Sequence, residues 1–225
     1  MKKISIYAVA GLLLLLMLTL GISGCKEVIV EPTVDIRNIH SLAVLPFENN
    51  TRYSGVGERV TDSVIISLVQ NIKEFQIVER ARIYDVLQEQ EMMTAQGVRV
   101  VAKGSAQEIG RLLEVNTLLV GTVNSLSISN VITEKSYYDE KKGIQYYSAS
   151  KTGDICISAR LIDVATGAIK WGTEEAASVG TYDSYKSGEG YQLDSDDQLI
   201  DNLVRSVARK IAENFYPHKE YTLGF

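Results

Sequence analysis

Cysteine and histidine are nearly absent: 225 residues hold two of each. His40 and His218 lie far apart in sequence, and no cluster has the ligand spacing of a zinc site. The chain has no P-loop and no G-x-S-x-G elbow, and neither histidine has a nucleophile motif nearby. Gly55-Val-Gly57-Glu-Arg-Val60 resembles part of a dinucleotide fingerprint ahead of a helix. It lacks the third glycine, and the loop before it is too long for a tight pyrophosphate turn. Asp196 and Asp197 form a carboxylate pair at an expected helix N-terminus, where the dipole favours negative charge without any catalytic role. Asp163, ahead of Thr166-Gly167, reads as a turn residue. These absences argue against an enzyme and against a bound cofactor or metal.

Positive charge is also in short supply. The whole chain has a net charge of -5. Lys2 and Lys3 are the only charges in the first 24 residues, so the remainder carries two fewer cations and a net charge of -7. That balance weighs against a nucleic-acid partner and against binding anionic membranes by charge alone.

One long hydrophobic run is present. Lys2-Lys3 precede an apolar stretch from Ile4 to Leu20, followed by Ile22-Ser23-Gly24-Cys25. A basic head, an apolar core and small residues before a cut mark a secretory signal. Cysteine just after the cut resembles the lipobox of bacterial lipoproteins, in which Cys25 is acylated and becomes the mature N-terminus. The alternative is an uncleaved anchor, since about 17 apolar residues nearly span a bilayer. The position of Cys25 and the breakers Gly21 and Gly24 favour the lipobox. With Cys25 acylated, Cys156 stands alone and no internal disulfide forms. Cys156, between Ile155 and Ile157, reads as a small strand residue. Lys26 in place of Asp after the cysteine implies, by the lipoprotein sorting rule, the periplasmic face of the outer membrane.

The organisation expected is a signal at 1–24, a lipid-anchored tether at 25–39 and one domain at 40–225. Extended, the 16 residues from Cys25 to Ser41 reach no more than about 50–60 Å. His40–Phe47 reads as a buried strand. Val60, Val64, Leu68 and Ile72 predict a helix over Glu58–Phe75, and a short strand follows to Val78. Ala81–Met93 reads as a second helix. Ser105 with Glu108 predicts a capping box opening a third. Asn116–Ser129, Ile155–Val164 and Ala168–Val179 read as strands, the last two joined by a turn at Gly167. Ser195 and Gln198 predict a second capping box, opening a helix with Leu199, Leu203, Val207 and Ile211 at strict spacing of four. The pattern is an α/β (α+β) fold: a mixed sheet with packed helices.

Two stretches stand out as tyrosine-rich excursions, 130–154 and 180–197. The first carries Tyr137-Tyr138 and Tyr146-Tyr147 around a charged tip ending in Gly143. The second carries Asp183, Lys186, Glu189, Asp194, Asp196 and Asp197.

Four stretches carry a family resemblance. They are Leu42-Ala-Val-Leu-Pro-Phe-Glu-Asn49, Val78-Glu-Arg-Ala-Arg-Ile-Tyr-Asp-Val-Leu-Gln-Glu-Gln90, Leu112-Leu-Glu-Val-Asn-Thr-Leu-Leu-Val-Gly-Thr-Val123 and Ile157-Ser-Ala-Arg-Leu-Ile-Asp-Val-Ala-Thr-Gly-Ala-Ile169. In this order, after a lipobox, they resemble the CsgG family of curli-production and holdfast-anchoring lipoproteins. The resemblance implies a non-enzymatic outer-membrane lipoprotein with an α/β periplasmic domain. It also implies a homo-oligomer and, as partners, the outer membrane through the lipid on Cys25 and secreted protein subunits. In some members two hairpins per subunit build a shared export barrel. Non-pore relatives activate peptidoglycan synthases, which is the alternative function. A membrane hairpin needs strands of about 9–11 residues with one apolar face. Neither excursion offers continuous apolar alternation, so both read as polar surface hairpins or loops.

Overall fold

The computed structural model describes residues 25–78, 80–89, 93–94, 97–98 and 103–223. The signal read at 1–24 lies outside them. The described chain forms two units, Thr33–Tyr216 and the flanking residues 25–32 with 217–223.

In the flanking unit, β1 (Cys25–Val30) pairs antiparallel with β11 (His218–Leu223). Among the described residues, Cys25–Val30 is a strand, inside the stretch read as a polar tether. Each strand satisfies backbone donors and acceptors of the other, a pairing between distant segments that neither sequence alone announces.

In the larger unit, β2 (Ser41–Val44) is the buried strand expected at 40–47. A two-residue strand, β3 (Glu48–Asn49), follows, and then α1 (Val56–Asn71). The predicted row Val60, Val64 and Leu68 is buried along that helix. After β4 (Gln76–Ile77) comes α2 (Arg80–Glu89). That helix ends before Met93, which instead opens β5 (Met93–Thr94), paired with β6 (Gly97–Val98). Helix α3 (Lys103–Leu112) starts two residues ahead of Ser105, so Ser105 lies inside the helix and not at the cap assigned to it. Then come β7 (Thr117–Ile128), β8 (Ile132–Asp139), β9 (Ile144–Asp163) and β10 (Ile169–Lys186). Helix α4 (Asp196–Glu213) closes the unit. Its Ser195–Gln198 capping box is present in full, with both reciprocal hydrogen bonds.

The sheet is mixed, in the order β10-β9-β7-β2-β4. Strand β2 runs parallel to β4 and β7, while β7, β9 and β10 are antiparallel. Successive residues of a strand point to opposite faces, and each face has its own helices. One carries α1 and α4: Leu42, Val44, Leu119, Val123, Ile155, Ile157 and Leu161 share a core with Leu68, Leu203, Val207 and Phe215. The other carries α2 and α3: Ala43, Leu45, Leu118, Val120 and Ile162 meet Ile83, Leu87, Ile109 and Leu113. The predicted α4 row Leu199, Leu203, Val207, Ile211 is fully buried. At the end of that helix the carbonyl of Asn214 accepts from the amides of Thr33 (3.0 Å) and Val34 (2.9 Å), so helix end and chain entry satisfy each other.

Candidate functional site

Strand β9 has two different neighbours along one edge. From Asp163 to Gly153 it pairs with β7, and from Ser150 to Ile144 it pairs with β8. On its other edge β10 accompanies it from Ile162 to Tyr146. The upper parts of β9 and β10, with β8, thus make a three-stranded antiparallel wing. The first tyrosine-rich excursion and residues Gly180–Lys186 of the second fall in it. The second was read as a polar hairpin or loop after a strand ending at Val179, but β10 itself continues from Gly180 to Lys186. The missed signal was the alternation of Thr181, Asp183 and Tyr185 with Tyr182, Ser184 and Lys186, a period of two carried by polar residues. The tip predicted at Asp139–Gly143 is present: the amides of Lys142 and Gly143 donate to the Asp139 carbonyl, and Gly143 takes the left-handed φ of 66°.

One face of the wing is covered by the chain's own return. After Lys186 the segment 187–195 folds back toward α4. The amide of Gln192 donates to Asp183 Oδ2 (2.7 Å), and that of Asp194 donates to Thr181 Oγ1 (3.3 Å). The Tyr191 ring lies 5.8 Å from that of Tyr185, which in turn lies 5.7 Å from Tyr147. Lys151 Nζ pairs with Asp196 at the start of α4. Ala149 is buried on this face.

The other face is open. By register it presents Ser148, Ser150 and Ser184 between Tyr146 and Tyr182. Tyr182 is 65% exposed and Ile132 is 56% exposed. Tyr137 stacks on Tyr146 at 4.4 Å, almost parallel. Desolvation within the stack, with a hydrogen bond to the Tyr146 hydroxyl, pushes the Tyr137 hydroxyl above the usual tyrosine pKa. Neither face offers an apolar row. Against lipid, Lys135, Lys151 and Asp183 on one face and Glu134 and Lys186 on the other would each cost free energy.

A cavity of about 460 Å³ opens elsewhere in this unit, lined by Val34, Asp35, Asn38, Ile39, Thr117, Leu161, Asp163, Lys170 and Trp171. Its size suits a small ligand, but its carboxylates are already engaged. Asp163 accepts from the Thr166 amide (2.8 Å) and hydroxyl (2.6 Å), which lowers its pKa and makes it the turn residue expected. Asp35 accepts from Arg37 Nε at 2.8 Å, which brings its pKa down to about 2. Trp171 Nε1 donates to Thr33 Oγ1 (3.0 Å).

The other sequence candidates are placed as follows. Cys25 opens β1, in register with Leu223. Asp196 and Asp197 begin α4; Asp197 meets Arg59, which also reaches Asp201 at 3.1 Å. Arg59 carried no sequence signal, since its partners lie more than 130 residues away. Gly57 packs so closely on the Phe47 carbonyl that no side chain would fit, while Gly55 has open space around it and takes the left-handed φ of 74°. Cys156 is a free, half-buried strand residue. Among the described residues there is no metal-binding cluster of His, Cys, Asp and Glu, and no helix long and apolar enough to cross a membrane. The latter says nothing of strands.

Residues 26–214 match the family model described as curli production assembly/transport component CsgG. No curated protein matches the chain. Among solved structures, the lipoprotein GNA1162 from Neisseria meningitidis is similar at 16% identity and a TM-score of 0.46, covering 77% of this chain and 99% of that one. The PelC dodecamer from Paraburkholderia phytofirmans is similar at 15% identity and a TM-score of 0.40, covering 86% and 98%. The LpoB C-terminal domain from Escherichia coli is similar at 16% identity and a TM-score of 0.41, covering 64% and 87%.

Proposed function

Because the chain belongs to the CsgG family of curli production assembly/transport components, we propose that it is a non-enzymatic part of the machinery that secretes or assembles cell-surface material. It is held at the periplasmic face of the outer membrane by a lipid on Cys25 and acts as a homo-oligomer with secreted protein subunits as cargo. The observation that carries this reading is the extent of the family match, which includes both helical layers and the wing.

Two features support assembly over chemistry. The cavity holds carboxylates already tied up by Thr166 and Arg37. Strand β10, 18 residues long, is the terminal strand of its sheet, and an open edge of that length is a template for pairing with another chain. Only part of it is blunted, where Lys210 Nζ donates to the Ala176 carbonyl at 2.6 Å.

The polar faces of the wing favour a periplasmic docking element over a lipid-facing barrel. A regulator of an inner-membrane peptidoglycan synthase is the competing reading. The hydrogen bonds to Asn214 tie Thr33 to the end of α4, so at most about 25–30 Å of chain separates that point from Cys25. That short span weighs against reaching across the periplasm.

The test is complementation. A strain lacking the protein should lose surface material, wild type should restore it, and Cys25→Ser should not. Full restoration by Cys25→Ser would remove the anchor from the reading. Purified lipidated protein should sediment above monomer mass and show no stepwise currents in a planar bilayer. Stable currents would reinstate the pore.

A further inference from the structure

The β1–β11 ribbon has features that the anchor alone does not require. Two isolated strands are marginal in water. Yet this ribbon exposes Ile29 (62%), Val28 (37%) and Tyr221 (71%). Its register places Cys25 opposite Leu223, Glu27 opposite Tyr221 and Ile29 opposite Lys219. Residues directly opposite share a face, so Glu27, Tyr221, Ile29 and Lys219 stand together.

We propose that the ribbon rests in the headgroup layer of the membrane that holds Cys25, with Tyr221 as its interfacial residue. The inference depends on the reading that Cys25 carries the lipid. Two residues along a strand advance about 7 Å, and the headgroup layer on each side of a bilayer is about 5–8 Å deep. With lipid on Cys25, the Tyr221 rung stands at the depth where an amphipathic ring is favoured. Glu27 on that rung would be repelled by anionic headgroups, but Lys219 Nζ lies 2.7 Å from its carboxylate and neutralises it. Strand β11 thus supplies a second contact from a distant part of the chain. The bilayer in turn supplies the cover that a two-stranded ribbon lacks in water.

The experiment uses the lipidated full chain with Tyr221→Trp, in vesicles of phosphatidylethanolamine and phosphatidylglycerol with or without brominated acyl chains. Trp171, the single native tryptophan, is present in variant and parent alike, so their difference spectrum reports the new indole. The expected result is a blue shift on vesicle binding and a loss of intensity with shallow bromines. A Lys219→Pro/Glu220→Pro pair in β11 should abolish both, because adjacent amides point to opposite sides of a strand and one of the two must donate to β1. Mass spectrometry of the Cys25 peptide separates the two failures. An unmodified Cys25 overturns the anchor and this inference with it. A lipidated Cys25 with an unshifted, unquenched indole overturns this inference alone. So does a shift that survives the double proline.

Discussion

Strands β9 and β10 form one continuous pair, yet its lower and upper parts are built differently. Below Gly153 the inward residues of β9 are Ile155, Ile157, Ala159 and Leu161, and helix α4 covers them. Above Gly153 the same alternation presents Lys151, Ala149 and Tyr147, and the segment 187–195 with the first residue of α4 lies over that face. Gly153 marks the border. A side chain there would approach Leu203 Cδ1 to 2.9 Å, so the helix sits directly on the backbone at that rung. The backbone pairing is the same above and below. What differs is the apolar area removed from water, and that area is the main source of stability. The lower part holds the fold, while the wing is free to carry a polar surface suited to a partner.

Leu203→Ala attacks the covered part where burial is complete. It should cost about 2–4 kcal/mol in urea unfolding, from lost transfer energy and the cavity left behind. A cost below about 1 kcal/mol would mean that α4 is not the cover described here.

A pair of glycines sharpens the contrast. In β7, Gly121 lies under the Phe47 ring, and an added methyl would overlap its edge carbons. Gly121→Ala should cost about 1–3 kcal/mol through overpacking. In the wing, the same methyl at Gly180 would meet Thr152 Cγ2 at 3.6 Å, an ordinary contact. Gly180→Ala should therefore leave the unfolding midpoint unchanged or slightly raised. Equal losses at both sites would erase the distinction between the two parts.

Ser195→Ala tests the junction. It removes the side chain that accepts from the Gln198 amide at 3.2 Å, at the point where the return segment becomes α4. Loss of such a cap costs about 0.5–2 kcal/mol. The effect should appear in the unfolding midpoint, with the wing's tyrosine stacking unaltered in near-ultraviolet circular dichroism.

The covered part was far more legible in the sequence than the wing. The row Leu199, Leu203, Val207, Ile211 announced an amphipathic helix because burial repeats with the helical period. The strands Thr117–Val123 and Ile155–Leu161 were visible as a nearly continuous apolar run and a period of two. The wing half of β10 was missed because strand alternation is read from hydrophobicity, and here both faces are polar. The β1–β11 pair was missed because it joins segments almost 200 residues apart, and six-residue strands carry little pattern of their own. A local cap also misled: Ser105 and Glu108 have the right spacing, but the helix starts at Lys103. For the candidate site, the tip at Gly143 was legible as a local motif. The contacts of the return segment and α4 with Asp183, Thr181 and Lys151 were not, since single polar hydrogen bonds leave no periodic pattern.

The smallest effect on stability is expected on the open face of the wing. Tyr182 is 65% exposed and stands across from Ser150. Its ring neither enters the core nor belongs to the aromatic stack of Tyr137 and Tyr146. Tyr182→Ser keeps a hydroxyl on that face and should shift stability by no more than about 0.5 kcal/mol, as do most surface changes away from special features. If the open face docks a partner, the same variant should weaken complementation while the purified protein unfolds at the wild-type urea concentration. Loss of stability beyond about 1 kcal/mol would show instead that the ring is structural and that the wing is energetically part of the covered fold. Unchanged stability with full complementation would move the docking surface off this face and toward the open edge of β10.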